Sequence, residues 1–421
     1  MRAMKDSGVD WIGEIPIQWQ LVPTKRVFKG KKQIAGANSE MYERLALTMN
    51  GVVKRNKDDN EGLQPEQFDS YQILESNELV FKLIDLQNIR TSRVGLSPYT
   101  GIVSPAYIIL TNTKSDNRFY YYWYFDMYNR CVFNRMGGDG VRSALNLKDV
   151  LEIPIPMISD AEQQRIAEFL DRKCAEVDEM IALQEQIIEE LKAYKQSVIT
   201  EAVTKGLNPT APMRDSGIEW IGSIPEHWEV RRIGSLFRLR DEKNYKPMGE
   251  VQLLSLYTGI GVFPHGEQEE RGNKAVTTEG YKIVRKNDVV VNIILAWMGA
   301  IGVSNYDGVT SPAYDVYIPN HNAAPHYYHY VFRTKGIAAE CYKYGRGIMM
   351  MRWRTYSSEF KQIHIPYPNI AEQQAIADYL DEKCADIDSL IPTNQSKIDS
   401  LKEYKKSIIY EYVTGKREVE L

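Results

Sequence analysis

After Ser159 the apolar positions fall into alternating steps of three and four: Ile166, Leu170, Cys174, Val177 and Ile181, then Ile188, Leu191, Val198 and Ala202. The same rhythm returns in Ile376, Leu380, Cys384, Ile387 and Ile391, then Ile398, Leu401, Ile408 and Tyr412. A stripe this narrow and this long predicts two helices that meet a helical partner along a coiled-coil seam. Each start carries a capping pattern, Ser159-Asp-Ala-Glu162 and Asn369-Ile-Ala-Glu372, which supplies an acceptor for the orphan amides of a first turn. Gly206 with Asn208-Pro209 stops the first helix and Gly415 the second. About 45 residues at roughly 1.5 Å each make a rod on the order of 65 Å. Gln184 and Asn394 share one seam position, where a polar pair sets register at some cost in stability. Pro392 lies inside the second stripe and is expected to kink or interrupt its helix. The competing expectation is two amphipathic helices packed separately on their own domains.

The two stripes belong to a longer duplication. Residues 4–28 and 213–237 agree at 11 of 25 positions, among them Trp11/Trp220, Gly13/Gly222, Pro16/Pro225 and Trp19/Trp228. Residues 161–206 and 371–416 agree at 23 of 46. Between these anchors only landmarks are shared: Ser104-Pro-Ala-Tyr107 with Ser311-Pro-Ala-Tyr314, and Ile153-Pro-Ile-Pro156 with Ile365-Pro-Tyr-Pro368. A period near 210 residues exceeds solenoid repeats and indicates a duplicated domain pair. The division is 1–157 and 207–369 as two domains, 158–206 as a first long helix, and 370–421 as a second helix with a tail. Alike frames carrying unlike inserts present two different surfaces.

Charge follows the same division. The chain has 421 residues and a formal net charge of −4. The two domains are mildly basic (+2 and +3) and the two helical segments acidic (−5 and −4). The basic excess is a weak nucleic-acid footprint that still allows local clusters. These include Lys31 and Lys32, Arg238 and Arg240 with Lys243, and Arg346, Arg352 and Arg354. Acidic rods repel a phosphate backbone and suit a protein partner. With 43% hydrophobic and 26% charged residues the composition is that of a globular protein. No apolar run reaches the roughly 18 residues of a membrane span, and the opening residues do not form a signal peptide. Four scattered cysteines, without a CxxC pair, read as reduced thiols in a cytoplasmic protein.

Catalytic signatures do not appear: there is no P-loop, GxGxxG, GxSxG or HExxH pattern. His326 and His329 read as packing residues rather than metal ligands, because no third ligand is in view. The aromatic run Phe119–Phe125 reads as a core element, with base stacking as the alternative. The SPAY segments read as strand-edge turns; they only faintly resemble the loop of amino-methyltransferases. The paired tryptophans are expected to pin the leading segments onto their domains.

The leading Lys5-Asp-Ser-Gly-Val-Asp-Trp-Ile-Gly-Glu-Ile-Pro16, its copy, the IPxP-then-AEQQ helix start and the tandem order together resemble the DNA-specificity subunit of type I restriction–modification systems. That resemblance covers essentially the whole chain. It implies an α/β (α+β) fold: two similar globular target-recognition domains joined by two long antiparallel coiled-coil helices with pseudo-twofold symmetry. Each domain is then expected to read one half of a split, asymmetric double-stranded DNA site, with the helices as spacer. It further implies docking to methyltransferase (modification) subunits and to restriction/translocase subunits. S-adenosylmethionine, ATP and Mg are expected only on those partners, with no cofactor, catalytic residue or metal in this chain. A glycine- and arginine-containing loop before the IPxP strand makes Arg135 and Arg142, and Arg346, Arg352 and Arg354, candidates for DNA contact. Two alternatives stay open: a free-standing or fused DNA amino-methyltransferase, and a coiled-coil scaffold that binds only protein.

Overall fold

A computed structural model describes residues 2–49, 51–57, 67–84, 86, 93–112, 116–136, 144–266, 277–347 and 353–419. The chain divides into two compact units. Residues 1–185 and 396–421 form unit 1, and residues 186–395 form unit 2. The boundary cuts both long helices, Asp160–Lys205 and Ile370–Val413, near their middles. Each unit therefore contains one α/β domain, the first half of the helix that follows it and the last half of the other helix.

Each domain opens with a hairpin. In unit 1, Met4–Asp6 pairs antiparallel with Glu14–Pro16, and Ser7 N–H closes the turn on Gly13 O at 3.0 Å. In unit 2, Met213–Asp215 pairs with Ser223–Pro225, and Ser216 closes on Gly222 at 3.0 Å. The chain then enters a strand that pairs with the IPxP segment: Gln20–Pro23 with Pro154–Met157, and Glu229–Arg232 with His364–Tyr367. Proline is tolerated in these two-stranded ribbons because each has open edges.

The inserts share a frame despite their divergent sequences. Unit 1 has a four-stranded sheet ordered Lys29–Lys31, Ile108–Thr111, Leu79–Phe81, Val94–Leu96. Unit 2 has Phe237–Leu239, Tyr314–Pro319, Val289–Asn292, Ile301–Val303 in the equivalent order. Both SPAY segments are the turn before the second strand of that order, with Tyr107 N–H bonded to Ser104 O and Tyr314 N–H to Ser311 O. A helix follows in each, Arg118–Asn129 and Pro325–Val331. The aromatic run thus forms a helix whose Phe119, Tyr120, Tyr122, Trp123 and Tyr124 are buried. His326 and His329 lie on its counterpart. Phe28 meets Tyr120 edge-on at 5.2 Å, and Phe237 meets Tyr328 edge-on at 5.1 Å.

The long helices are continuous with these cores. In unit 1, Ile166, Leu170 and Cys174 share one core with Trp19, Phe28, Phe81 and Trp123, and Ile409, Tyr412 and Val413 of the second helix complete it. In unit 2, Ile376, Leu380 and Cys384 pack with Trp228, Phe237, Tyr328 and Phe332, completed by Ile199, Ala202 and Val203. The helix halves run antiparallel within each unit. Phe169 stacks near Tyr412 at 4.3 Å and Lys405 Nζ binds Asp178 at 2.6 Å in unit 1; Lys195 Nζ binds Asp388 at 2.6 Å in unit 2. Val177, Ile188, Ile387 and Ile398 are buried, and Ile181, Leu191, Ile391 and Leu401 half-buried. The stripe thus serves a globular core at its ends and a helix partner along its length.

Two local expectations change. The second helix runs through Pro392 without interruption. Proline has no N–H for the carbonyl four residues back. The next two carbonyls of that turn also accept from side chains, Ser389 O from Thr393 Oγ1 at 2.9 Å and Leu390 O from Asn394 Nδ2 at 2.8 Å. The capping pattern is also only half used. Ser159 Oγ and Asn369 Oδ1 accept from the amides of Glu162 and Glu372, while those carboxylates turn to Arg2 and His227.

Each long helix ends on a leading hairpin. A Cβ built on Gly206 (φ +73°) would lie 3.1 Å from the ring of buried Trp228. One built on Gly415 (φ +69°) would lie 2.5 Å from Pro16 and 2.9 Å from Trp19. Gly415→Ala adds a clash to the left-handed backbone cost of about 1 kcal/mol, whereas Gly8→Ala, also at φ +72° but with nothing within 4 Å, adds only that cost. Thermal melts should therefore show the larger loss for Gly415→Ala; equal losses would remove the glycine–tryptophan contact from the account.

Candidate nucleic-acid interface

The basic positions separate into those committed inside a domain and those left at its surface. Arg240 is 7% exposed and grips Asp288 with both Nε (2.8 Å) and Nη2 (2.9 Å), while Nη1 reaches Glu242 at 2.6 Å. The sequence places Arg240 among the candidate DNA contacts; in the structure it is buried in a bidentate tie to Asp288 and is not a surface cation. Lys31 is similarly engaged, with Nζ 2.9 Å from buried Glu78 and 3.3 Å from Glu75. Lys29–Lys31 and Phe237–Leu239 are edge strands, and Lys31 and Arg240 turn onto carboxylates, Glu78 and Asp288, that the chain brings from distant turns.

Lys32, Arg135, Arg238 and Lys243 are exposed. Arg238 is the outward residue of Phe237–Leu239, and Arg135 sits in the last turn of the short helix Val132–Met136. Arg142 and Arg352 lie outside the described residues.

Arg346 and Arg354 are brought together. Their backbones exchange two hydrogen bonds, Arg346 N–H to Arg354 O at 2.8 Å and the reverse at 2.9 Å, forming a narrow antiparallel neck. Arg346 ion-pairs with Glu359, and Arg354 Nη1 donates to Trp353 O at 3.0 Å. Beside the neck stands an aromatic ladder. Trp353 stacks on Tyr342 at 5.0 Å and 23°, and Trp297 lies 6.0 Å from Tyr342. Gly345 makes the stack possible, since a Cβ there would fall 2.3 Å from Trp353 Nε1. Thr355 ties the neck to the core through Oγ1 to Cys341 O (2.8 Å) and N–H to Ile293 O (2.9 Å). Cations beside stacked, half-exposed aromatics, on a rigid stem, are chemically suited to phosphates and base faces.

Trp353, Tyr342 and Trp297 were not among the candidates drawn from the sequence. The available signal was the alternation Arg352-Trp353-Arg354, a basic and aromatic interleaving. Unit 1 has a second unanticipated basic element, the hairpin of Arg44–Thr48 and Gly51–Arg55. There Lys54 Nζ lies 5.1 Å from the Tyr99 ring and 2.6 Å from Glu43, and Arg44 lies over Phe68.

The buried edge of the helix Pro325–Val331 carries the one histidine with a large shift. Burial, then nearby Arg333, lowers the pKa of His329 to about 4. Arg333 Nη1 lies 3.0 Å from Nε2 and must be the donor, so the ring accepts as a neutral base. Among the described residues no group of His, Cys, Asp and Glu could hold a metal ion, and no helix is long and apolar enough to cross a membrane.

With the fold and its basic neck in view, the comparisons decide the family. The sequence matches the type I restriction modification DNA specificity domain twice, over residues 24–193 and 225–416. The chain belongs to that family. It is 26% identical over 284 residues to the putative type I restriction enzyme MjaX specificity subunit of Methanocaldococcus jannaschii, covering 65% of this chain. It is 24% identical over 307 residues to the type I restriction enzyme EcoBI specificity subunit of Escherichia coli, again covering 65% of this chain. The chain spans 62% and 60% of those two relatives' lengths. In fold it is similar to a chain from a study of complex assembly and conformational transition of the type I R-M system (TM-score 0.67, 13% identity, 95% of this chain and 98% of the other). It is also similar to the HsdS subunit of Thermoanaerobacter tengcongensis (TM-score 0.51, 15% identity, 96% and 98%). The expected mixed α/β architecture with two repeated domains and long helices is the one found.

Two predictions follow from the buried groups. Arg240→Ala leaves Asp288 charged and buried, so it should cost about 3 kcal/mol in denaturant unfolding, whereas Lys32→Ala should change stability by less than about 0.5 kcal/mol. For His329, the folded state disfavours the proton relative to the unfolded value near 6.5. Its stabilising contribution is therefore present above that pH and is lost as pH falls toward 4. Between pH 6.5 and 4.5 the loss should be about 2 kcal/mol, and His329→Gln should flatten that part of the stability profile.

Proposed function

We propose that this chain is the non-catalytic DNA-recognition subunit of a type I restriction–modification complex, in which each α/β domain reads one half of a bipartite, asymmetric double-stranded DNA site. The observation that carries the reading is the duplicated frame with unlike surfaces, matched in both copies by the specificity family. Residues 1–157 and 207–369 supply the reading surfaces. Surface cations such as Lys32, Arg135, Arg238, Lys243, Arg346 and Arg354 position the phosphate backbone, and neighbouring side chains read base edges. The aromatic ladder at Trp353 adds a stacking face to the second domain. The acidic long helices set the spacer and dock methyltransferase subunits, with restriction/translocase subunits joining the same assembly. S-adenosylmethionine, ATP and Mg belong to those partners, and the complex works in the cytoplasm.

The test is methylation mapping after co-expression with the cognate methyltransferase subunit. A bipartite motif is expected. Replacing residues 29–150 by the corresponding insert of another family member should change one half of that motif and leave the other. A single contiguous motif, or no change on the swap, would overturn the modular reading.

A further inference from the structure

The two units repeat one polar constellation where the aromatic helix of the domain meets the long helix. In unit 1, Asp171 accepts from two residues one turn apart on the helix Arg118–Asn129: Arg118 Nη1 at 2.7 Å and Tyr122 O–H at 2.7 Å. In unit 2, Asp381 faces two residues one turn apart on Pro325–Val331: His326 Nε2 at 2.6 Å and Tyr330 O–H at 2.6 Å. Asp171 and Asp381 are equivalent positions of the duplicated helix, whereas their partners lie within the diverged inserts. Two turns further along each long helix, Asp178 and Asp388 hold Lys405 and Lys195 of the other long helix. Each long helix therefore carries an aspartate for its domain and, seven residues on, an aspartate for its helical partner.

This geometry has a mechanical consequence. Apolar packing between a domain and a helix leaves sliding and rocking soft, because dispersion and burial carry little direction. A carboxylate gripped through both oxygens by two donors one turn apart removes that freedom, since hydrogen bonds to an ionised group are short and directional. Burial foremost, with the adjoining carboxylate, raises both phenol pKa values above the ordinary tyrosine range, so each phenol remains a donor. The preservation of an i, i+4 donor pair inside otherwise unlike inserts indicates a requirement that core packing alone does not impose.

We propose that Asp171 and Asp381 are positioning residues: each latches its reading domain at a fixed angle to the long helix, and so sets which separation of the two half-sites the protein accepts. The inference rests on the bipartite reading above and adds that spacer choice is set at these two latches as well as by helix length. The latches do not touch bases, so half-site sequence is independent of them.

The experiment maps methylation for the full chain and its Asp171→Ala, Asp381→Ala and Tyr330→Phe variants, each co-expressed with the methyltransferase subunit that the wild-type chain directs. Wild type is expected to use one spacer length. Asp171→Ala and Asp381→Ala should raise methylation at spacers one base pair longer or shorter by about tenfold, the equivalent of losing one charge-assisted hydrogen bond, with the bases of both half-sites unchanged. Tyr330→Phe keeps the ring and its packing, removes one arm of the latch, and should give a smaller shift in the same direction even if an alanine variant fails to fold. Unchanged spacer choice in variants that melt like wild type would overturn the proposal, as would altered base preference. A wild-type motif that is not bipartite would overturn the recognition reading itself, and the latch proposal with it.

Discussion

The long helices have to bury an apolar stripe more than forty residues long, and no single neighbour does so. Each helix begins in the core of the domain before it, continues against an antiparallel helix half, and ends against a tryptophan-bearing hairpin. That constraint explains why the most similar parts of the two copies are the hairpin, the IPxP strand and the helix. They contact one another, so a change in any one must be matched by the others. The inserts meet this frame through the aromatic helix and through strand residues that enter the same cores, among them Phe81 and Leu110 in unit 1 and Val289 and Ile301 in unit 2.

Charge is arranged by the same logic. The acidic helices use a few aspartates for internal ties to lysine, arginine, histidine and tyrosine, while most of their remaining carboxylates stay in solvent. Exposed pairs of this kind contribute little to stability individually. Their value lies in direction, since they select one orientation among several that apolar packing alone would tolerate. The buried Arg240–Asp288 tie is different in kind: it braces a turn of the second domain, where an unpaired charge is costly.

In the second domain the basic neck at Arg346 and Arg354 is rigid at its base and aromatic at its side. Thr355 and Gly345 hold that base, the first by two hydrogen bonds into the core and the second by leaving room for Trp353. The first domain has exposed cations at Lys32 and Arg135 and carries exposed Lys54 on the hairpin of Arg44–Thr48 and Gly51–Arg55. The two similar frames thus carry some of their basic groups on different elements.

The sequence by itself determined the duplication, both long helices, the buried tryptophans and the family. Those features rest on periodicity and identity, which are local or can be read by aligning the chain with itself. Only the tertiary structure decided which cations are available. Arg238 and Arg240 differ by two positions on a similar local pattern, yet one faces solvent and the other grips Asp288, because the carboxylate arrives from a turn 48 residues away. It also decided that Arg118-Phe-Tyr-Tyr-Tyr122 and His326-Tyr-Tyr-His-Tyr330 are the same helix. The two share little identity, and what they have in common is a donor pair one turn apart whose acceptor lies about fifty residues downstream. Pairings over such distances are set by chain folding, so no local pattern of residues announces them.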